Sequence, residues 1–219
     1  MAPLVTGLHL SEIQWNKFKA SYMWGKTYYL RRTKFVLYQT STLLLAAVSG
    51  ISNAAANKYI DRRDDVIEQD PTLDVDVGQI IAVRVMLTVL GGILGFLFGM
   101  ALLFDLWWPE RRESKVMSLG WKCSSLAGSL AQFAAALAAS IIVATGEVEI
   151  KGPDQQAVDE QLAAWPNSEY RESGTAIVTV VLAWIGFAFI ASSTGVMWKS
   201  YAVSSKHGPF ANYRRQEIL

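Results

Sequence analysis

Four stretches of the sequence contain neither a charged residue nor a proline, and each is long enough to cross a membrane. They run over residues 35–57, 85–104, 123–146 and 174–198. An α-helix needs about 20 apolar residues to span the hydrocarbon core of a bilayer. Proline costs about 3 kcal/mol in a helix interior, and all six prolines of the chain lie outside these stretches. The sequence therefore predicts four continuous transmembrane helices.

The composition agrees with this interpretation. Hydrophobic residues make up 52% of the chain and charged residues 18%, whereas a soluble domain carries about 25% charged residues. This balance argues against a soluble enzyme, a nucleic-acid-binding protein and a disordered protein. The single cysteine, Cys123, excludes an intrachain disulfide framework.

The charges between the stretches predict the orientation of the helices. Residues 1–34, 105–122 and 199–219 together carry 14 Lys and Arg against 5 Asp and Glu. The other two loops, residues 58–84 and 147–173, carry 6 Lys and Arg against 14 Asp and Glu. Basic residues accumulate on the cytosolic side of membrane proteins, so both termini are expected in the cytosol. The predicted fold is an all-α, four-helix transmembrane bundle with two acidic outer loops.

The tryptophans near the helix ends favour the same orientation. Trp107, Trp108, Trp121 and Trp198 all fall at predicted cytosolic helix ends. An indole ring prefers the headgroup level, because its body is apolar and its N–H group needs a polar partner.

The N-terminal segment is predicted to form an amphipathic helix that lies in the membrane interface. Ser11 and Gln14 have the spacing of a capping box, and Trp15, Phe18 and Tyr22 follow on one helical stripe. One interpretation is an ordinary juxtamembrane anchor. The other is a contact with anionic lipid, because an anionic leaflet attracts each clustered basic residue by about 1 kcal/mol. The candidate lipid-contacting residues are Trp15, Lys17, Phe18, Lys19, Lys26, Arg31, Arg32 and Lys34.

The outer loops are short and acidic. The first is expected to be partly helical as far as Pro71. In the second, Asp154 is predicted to cap a short helix that carries Val158, Leu162 and Trp165 on one face. The acidic residues of the first loop lack the spacing of a calcium-binding EF-hand loop, so no metal is expected there.

Small residues recur at helical spacing, most clearly Gly91, Gly95 and Gly99 in the second stretch. Such a stripe allows two helix backbones to approach closely in lipid. The glycines could pack helices of one chain together, or they could form the contact surface of a homo-oligomer or of another membrane protein. The oligomer interpretation predicts that Gly95→Leu disrupts assembly while the chain still inserts into the membrane.

Polar residues within the membrane are the first candidates for a transport pathway. Gln132 lies near the middle of the third stretch and is expected to donate an interhelical hydrogen bond. Arg84 lies just before the second stretch and is expected to reach the outer headgroups. No carboxylate or basic residue is expected near the membrane midplane, so a coupled carrier is disfavoured.

The sequence contains no catalytic motif. His9 and His207 lie near opposite ends of the chain, and we find no nucleophile elbow, zinc-protease motif or phosphate-binding loop. We therefore expect no catalytic residues, no enzymatic activity and no cofactor. Cys123, at a predicted cytosolic helix start, is a candidate for palmitoylation or an unmodified small hydrophobic residue.

The arrangement of four helices, cytosolic termini, two short acidic outer loops and a cytosolic hairpin at residues 107–112 resembles the four-span membrane-organising proteins. These include the MARVEL-domain and fungal SUR7-like families. The chain departs from claudins and SUR7-type proteins because it lacks their Gly-Leu-Trp and paired-cysteine signature, and from tetraspanins because it lacks a Cys-Cys-Gly motif. The resemblance implies a eukaryotic plasma-membrane or secretory-pathway protein that organises lateral membrane domains. It assigns a role to no individual residue.

Three functions remain open from the sequence. The first is a scaffold or membrane-domain organiser that works through helix–helix and lipid contacts. The second is an accessory subunit of a larger membrane enzyme or transporter, and the third is an autonomous carrier or channel. The expected partners are anionic membrane lipids of the cytosolic leaflet and either further copies of the chain or another membrane protein, and no nucleic acid is expected.

Overall fold

The chain is predominantly α-helical in the computed structural model, which describes residues 15–25, 27–111 and 113–210. The described residues form α1 (Ala20–Met23), α2 (Arg31–Gln69), α3 (Gly78–Trp107), α4 (Lys115–Thr145), α5 (Gln155–Ala163) and α6 (Gly174–His207). Two short strands, β1 (Asp74–Asp76) and β2 (Glu149–Lys151), lie between them. The helices α2, α3, α4 and α6 are long and apolar enough to cross a membrane. This confirms the prediction of an all-α chain with four such helices.

The four long helices continue beyond the uncharged stretches of the sequence. The clearest case is α2, which has 39 residues and includes residues 58–69 of the first acidic loop. It ends at Gln69, two residues before Pro71, as the sequence predicts. Charged residues such as Lys, Arg and Glu are good helix formers, so the edge of an apolar stretch does not end a helix. Proline ends it, because its ring clashes with the preceding turn.

The N-terminal segment differs from the single amphipathic helix that the sequence predicts. Its proposed capping box, Ser11 to Gln14, lies outside the described residues. A 3₁₀ turn over Trp15–Phe18 is followed by the single turn of α1. The two are separated at Lys19, whose N–H group donates to the carbonyl of Asn16 in the tighter i to i+3 pattern. The described backbone of this segment is therefore not one continuous α-helix.

The chain divides into two compact units. Unit 1 contains residues 1–43, 94–129 and 188–219, and unit 2 contains residues 44–93 and 130–187. Each of the four long helices contributes residues to both units.

Unit 2 contains an apolar core that includes residues of the α2–α3 and α4–α6 connections. Strands β1 and β2 pair antiparallel, with Val75 opposite Ile150. These two side chains are buried, while the charged neighbours on either side of each are exposed, as the two-residue period of a strand requires. Tyr170 and Val77 are buried in the same cluster.

The helix α5 confirms the prediction made from the second outer loop. Asp154 is its N-cap, and the Asp154 carboxylate accepts a hydrogen bond of 3.0 Å from the backbone N–H group of Gln156. Val158 and Trp165 are buried in the core of unit 2, whereas Leu162 is partly exposed. The predicted cap and helix are therefore confirmed, but the predicted three-residue helical face is not, because Trp165 lies two residues beyond the end of α5.

The long helices expose apolar side chains and bury small polar ones. In unit 1, the hydroxyl oxygens of Ser41 and Ser193 lie 2.9 Å apart, and those of Ser129 and Thr194 also lie 2.9 Å apart. All four of these residues are buried. Such interhelical hydrogen bonds are typical of helices that associate in lipid, where apolar surface gives no drive to association. The exposed apolar side chains of the long helices include Leu43, Val89, Ile93, Phe96, Leu130, Leu137, Ile141 and Val181.

Candidate functional site

Unit 1 contains a cavity of about 900 Å³, which is within the size range of small-molecule sites. It is formed by the first turns of α2 and α4, the last turns of α3 and α6, and the connection between α3 and α4. Its charged lining residues comprise five basic and three acidic side chains. They are Arg31, Lys34, Asp105, Glu110, Arg111, Glu113, Lys115 and Lys122.

Asp105 is the centre of an ion-pair network in this cavity. Its carboxylate accepts from Lys34 Nζ at 2.8 Å and from Arg111 Nη1 at 3.0 Å. Arg111 also pairs with Glu113, and the Tyr201 hydroxyl donates to Glu113 Oε2 at 2.8 Å. Burial alone would lower the pKa of Arg111, but the carboxylates of Asp105 and Glu113 outweigh it and raise that pKa overall. The arginine therefore remains charged and holds both carboxylates in place.

Glu110, the third acidic residue of the lining, also has a partner. Its Oε1 accepts from the Tyr28 hydroxyl at 2.6 Å. The Tyr28 ring stacks on Phe210 with a centroid separation of 5.6 Å, and the Arg31 guanidinium carbon lies 5.1 Å from the centroid of the same ring. The N–H group of Tyr29 donates to the carbonyl of Pro209. These contacts hold the segment before α2 against the segment after α6 at the edge of the cavity.

Two lysines of the lining remain available to a ligand. Lys122 Nζ lies 5.9 Å from the ring centroid of Trp198 and 5.5 Å from that of Tyr201. The Trp198 indole N–H group donates to the carbonyl of Lys122 at 3.3 Å, which fixes the backbone beside the lysine. Within the described part of the chain, neither Lys115 nor Lys122 forms an ion pair. Because the lining contains five basic and three acidic side chains, the cavity carries net positive charge.

The basic residues that the sequence assigned to lipid contact are divided between two environments. Arg31 and Lys34 line the cavity, and Lys34 pairs there with Asp105. Arg32 lies on the exposed side of α2, where its Nε donates to the carbonyl of Trp24. The cavity thus contains part of the predicted set and not the whole of it.

The remaining predicted lipid contacts lie in the segment before α2. Trp15 is exposed and its ring centroid lies 5.4 Å from that of Trp107. Lys19 is also exposed. The side chains of Lys17 and Phe18 and the whole of Lys26 lie outside the described part of the structure. Lipid insertion by Trp15 remains a prediction.

Gly91 lies where α2 and α3 approach each other in unit 2. A Cβ atom on Gly91 would lie 2.8 Å from the backbone carbonyl oxygen of Leu45 and 3.0 Å from the Cβ of Ser49. Real Cβ contacts are longer than this, so only glycine allows the observed approach. The contact is made within one chain.

Gly95 and Gly99 face α2 in unit 1. The carbonyl of Gly95 accepts from Thr42 Oγ1 at 3.4 Å, and a Cβ on Gly99 would lie 3.7 Å from the methyl carbon of Thr42. All three glycines of the stripe thus contact the first long helix of the same chain. This placement favours the interpretation that they pack one chain together over the interpretation of an oligomer seam.

Gln132 and Arg84 are both buried in unit 2. Gln132 Nε2 donates to the carbonyl of Ala183 at 3.4 Å, which is the interhelical contact expected from the sequence. The expectation that Arg84 reaches the outer headgroups is wrong, since its side chain is only 2% exposed. The reason is helical register: Arg84 follows the buried Ile80 by four residues and precedes the buried Leu87 by three, so all three share one face of α3.

Cys123 is an exposed free cysteine on α4, and its palmitoylation remains a prediction. Among the described residues, no group of three or more His, Cys, Asp or Glu side chains could hold a metal ion. No protein family, curated protein or solved structure gives a significant match to the chain.

Sequence reasoning missed the cavity because its members come from four helix ends. One signal was present in the sequence. Asp105 is an acidic residue directly after an uncharged stretch, and Arg111 follows it by six residues across a short turn with Pro109. A charged pair at that spacing can be proposed from sequence, but the approach of Lys34 and Tyr201 cannot.

Proposed function

We propose that the protein is a non-enzymatic, multi-pass membrane protein that acts as a scaffold or membrane-domain organiser through helix–helix and lipid contacts. In this proposal, the cavity of unit 1 holds the phosphate-bearing headgroup of an anionic lipid in the cytosolic leaflet. One observation carries it. The three acids of the cavity are engaged by neighbouring side chains, while Lys115 and Lys122 form no ion pair within the described residues.

The chemistry of the lining fits such a headgroup. An ammonium group is a compact charge with three donors, and lysine commonly binds phosphate in this way. The aromatic rings of Trp198 and Tyr201 fix Lys122 without neutralising it. Tryptophan also prefers the headgroup level of a bilayer, and the positive-inside rule assigns this set of loops to the cytosolic side. A lipid held in this cavity would be a specifically bound lipid and not one that only surrounds the protein in the bilayer.

The proposal is tested by comparing two lysine variants in lipid. The purified full-length chain is reconstituted in nanodiscs with an equal mixture of phosphatidylcholine and phosphatidylserine, and retained lipid is identified by native mass spectrometry. Lys122→Gln removes a cavity charge. Lys199→Gln is the matched control, because Lys199 is exposed on α6 and does not line the cavity.

We expect Lys122→Gln to lower the fraction of protein that retains phosphatidylserine by about tenfold, since hydrogen bonds to charged groups contribute about 1.5–3 kcal/mol. Lys199→Gln should retain the lipid as the wild type does. Equal losses in both variants would mean that only the general surface charge attracts the lipid. Full retention in Lys122→Gln would remove the cavity from the proposal.

The mass of the complex distinguishes the scaffold from an accessory subunit. The chain has a mass of 24.2 kDa, so a scaffold extracted directly into native nanodiscs should appear at a multiple of that value. A stoichiometric second protein would instead favour the accessory-subunit alternative and would identify the larger complex. Phosphatidylserine retention in the cavity is read independently of this mass.

A further inference from the structure

Unit 2 buries a charged side chain that has no carboxylate partner among the described residues. Arg84 is 2% exposed, and although the Tyr59 hydroxyl lies beside its guanidinium, none of the Nε, Nη1 and Nη2 atoms has a well-aligned hydrogen-bond partner in the described structure. Its guanidinium carbon lies 5.4 Å from the ring centroid of Tyr59. The Tyr59 ring and hydroxyl offset part of the cost of burying the charge, but neither supplies a negative charge to balance the guanidinium.

A second buried donor without a partner lies on the facing helix. Ser52 is fully buried, and its hydroxyl makes no hydrogen bond within the described residues. The register between α2 and α3 is set by Ser49, whose hydroxyl donates to the carbonyl of Thr88 at 2.9 Å. Ser52 lies about one turn beyond Ser49, and Arg84 lies about one turn before Thr88, so both advance towards the same level of the two antiparallel helices.

The carboxylates of the neighbouring loops are already engaged. Burial raises the pKa of Tyr170, and Asp76 and Glu149 lie close enough to raise it further. The Asp76 carboxylate accepts from the N–H group of Gly78 at 2.8 Å, and Glu149 pairs with Lys151 at 2.7 Å. Both acids occupy exposed positions of strands β1 and β2. They therefore do not supply the missing acceptor for Arg84.

We infer that Arg84 and Ser52 form a binding site for a small anion of the chloride or short-carboxylate class. A guanidinium offers only donors, and the Ser52 hydroxyl at the same level of the facing helix can donate as well, so the complementary ligand is an acceptor. Negative charge is required because the buried guanidinium is otherwise uncompensated. Small size follows from the burial of the arginine, whose surroundings leave little of it accessible.

Anion-dependent stability of the full-length chain tests the site. The chain in detergent is heated in a sodium salt of a large organic sulfonate, which is replaced stepwise by chloride, acetate or phosphate at constant ionic strength. A ligand that binds only the folded state raises the unfolding midpoint in a saturable manner. Arg84→Gln removes the proposed ligand-binding charge. Arg63→Gln is the matched control, since Arg63 is in the same unit but forms an exposed pair with Asp64.

We expect chloride or acetate to raise the midpoint of the wild type and of Arg63→Gln with the same apparent affinity. That affinity should fall by about tenfold or more in Arg84→Gln. An equal response in Arg84→Gln would show a general salt effect and overturn the inference, as would the absence of any response in the wild type. A response to phosphate alone would overturn the small-anion assignment.

Ser52→Ala keeps the test decisive if Arg84→Gln does not fold. This variant retains the charge and removes one hydroxyl donor, so the chain should remain folded and bind the anion several-fold more weakly. Unchanged affinity in Ser52→Ala, measured beside a Ser140→Ala control that lies outside the proposed site, would exclude Ser52 from it. The site lies in unit 2, and its outcome does not depend on lipid retention in the cavity of unit 1.

Discussion

Two adjacent glycines on α3 provide a test of the helix contact in unit 2. A Cβ on Gly91 would lie 2.8 Å from the carbonyl oxygen of Leu45 and 3.0 Å from the Cβ of Ser49, whereas a Cβ on Gly92 would meet no atom within 4 Å. The variants Gly91→Ala and Gly92→Ala therefore add the same methyl group to the same helix in two different environments. One of these environments contains the backbone of α2, and the other is open.

The expected difference can be worked out from this geometry. Both variants gain helix propensity, about 1 kcal/mol for Gly to Ala, so this contribution cancels in the comparison. In Gly91→Ala the helices must separate, and overpacking of this kind costs about 1–3 kcal/mol. Separation also weakens the reciprocal Ser49 and Thr88 hydrogen bonds, of 2.9 and 3.4 Å, which contribute about 1 kcal/mol each. We expect Gly91→Ala to be less stable than Gly92→Ala by about 2–3 kcal/mol.

The assay is unfolding in mixed micelles with increasing sodium dodecyl sulfate, followed by far-ultraviolet circular dichroism and tryptophan fluorescence. Gly91→Ala should unfold at a lower detergent fraction than Gly92→Ala, while both form complexes of wild-type mass. Equal unfolding midpoints would refute the close approach of α2 and α3 at this point. A changed complex mass in Gly91→Ala with an unchanged midpoint would instead favour the oligomer seam.

Two further predictions concern charged groups. Asp105→Asn should destabilise unit 1 by about 3 kcal/mol, because it leaves two poorly exposed cations, Lys34 and Arg111, beside a neutral amide. The control Asp64→Asn, at an exposed ion pair, should change the free energy of unfolding by under about 1 kcal/mol. Equal effects of the two variants in the same detergent unfolding assay would contradict the Asp105 network. Asp154→Ala should remove the N-cap of α5 at a cost of about 0.5–2 kcal/mol, visible as faster amide hydrogen exchange confined to α5, and unchanged exchange there would show that the cap does not stabilise the helix.

The long helices could be predicted from the sequence because their determinants are local. Absence of charge, absence of proline and sufficient length identify each membrane-length helix without knowledge of its neighbours. The cap of α5 is equally local, since the Asp154 carboxylate accepts from the N–H group of Gln156, two residues along the chain. The edges of the uncharged stretches did not predict the helix ends, because α2 continues through charged residues to Gln69.

The contents of the two candidate sites depend on tertiary contacts. The position of Arg84 was partly readable, since the apolar residues at 80 and 87 share its face of the helix at a period of 3.6. The proximity of Arg84 to Tyr59 could not be predicted from the sequence, because it depends on how α2 is aligned along α3. The cavity of unit 1 is lined by side chains from four helix ends, so no local sequence pattern predicts it.

The two sites carry the same sign of charge for different reasons. In unit 1 the acids are saturated by Lys34, Arg111 and tyrosine hydroxyls, and the surplus cation Lys122 is held by aromatic rings. In unit 2 the buried cation Arg84 has no carboxylate partner among the described residues. A lipid-facing protein gains nothing in stability from a buried unpaired charge, because desolvation costs several kcal/mol. Replacing Arg84 with glutamine should therefore stabilise the chain in the absence of small anions. Replacing Lys122 should not stabilise it, because the Lys122 ammonium group also packs against aromatic rings. A difference of this kind between the two variants would indicate that the charge of Arg84 serves binding alone, whereas that of Lys122 also supports packing.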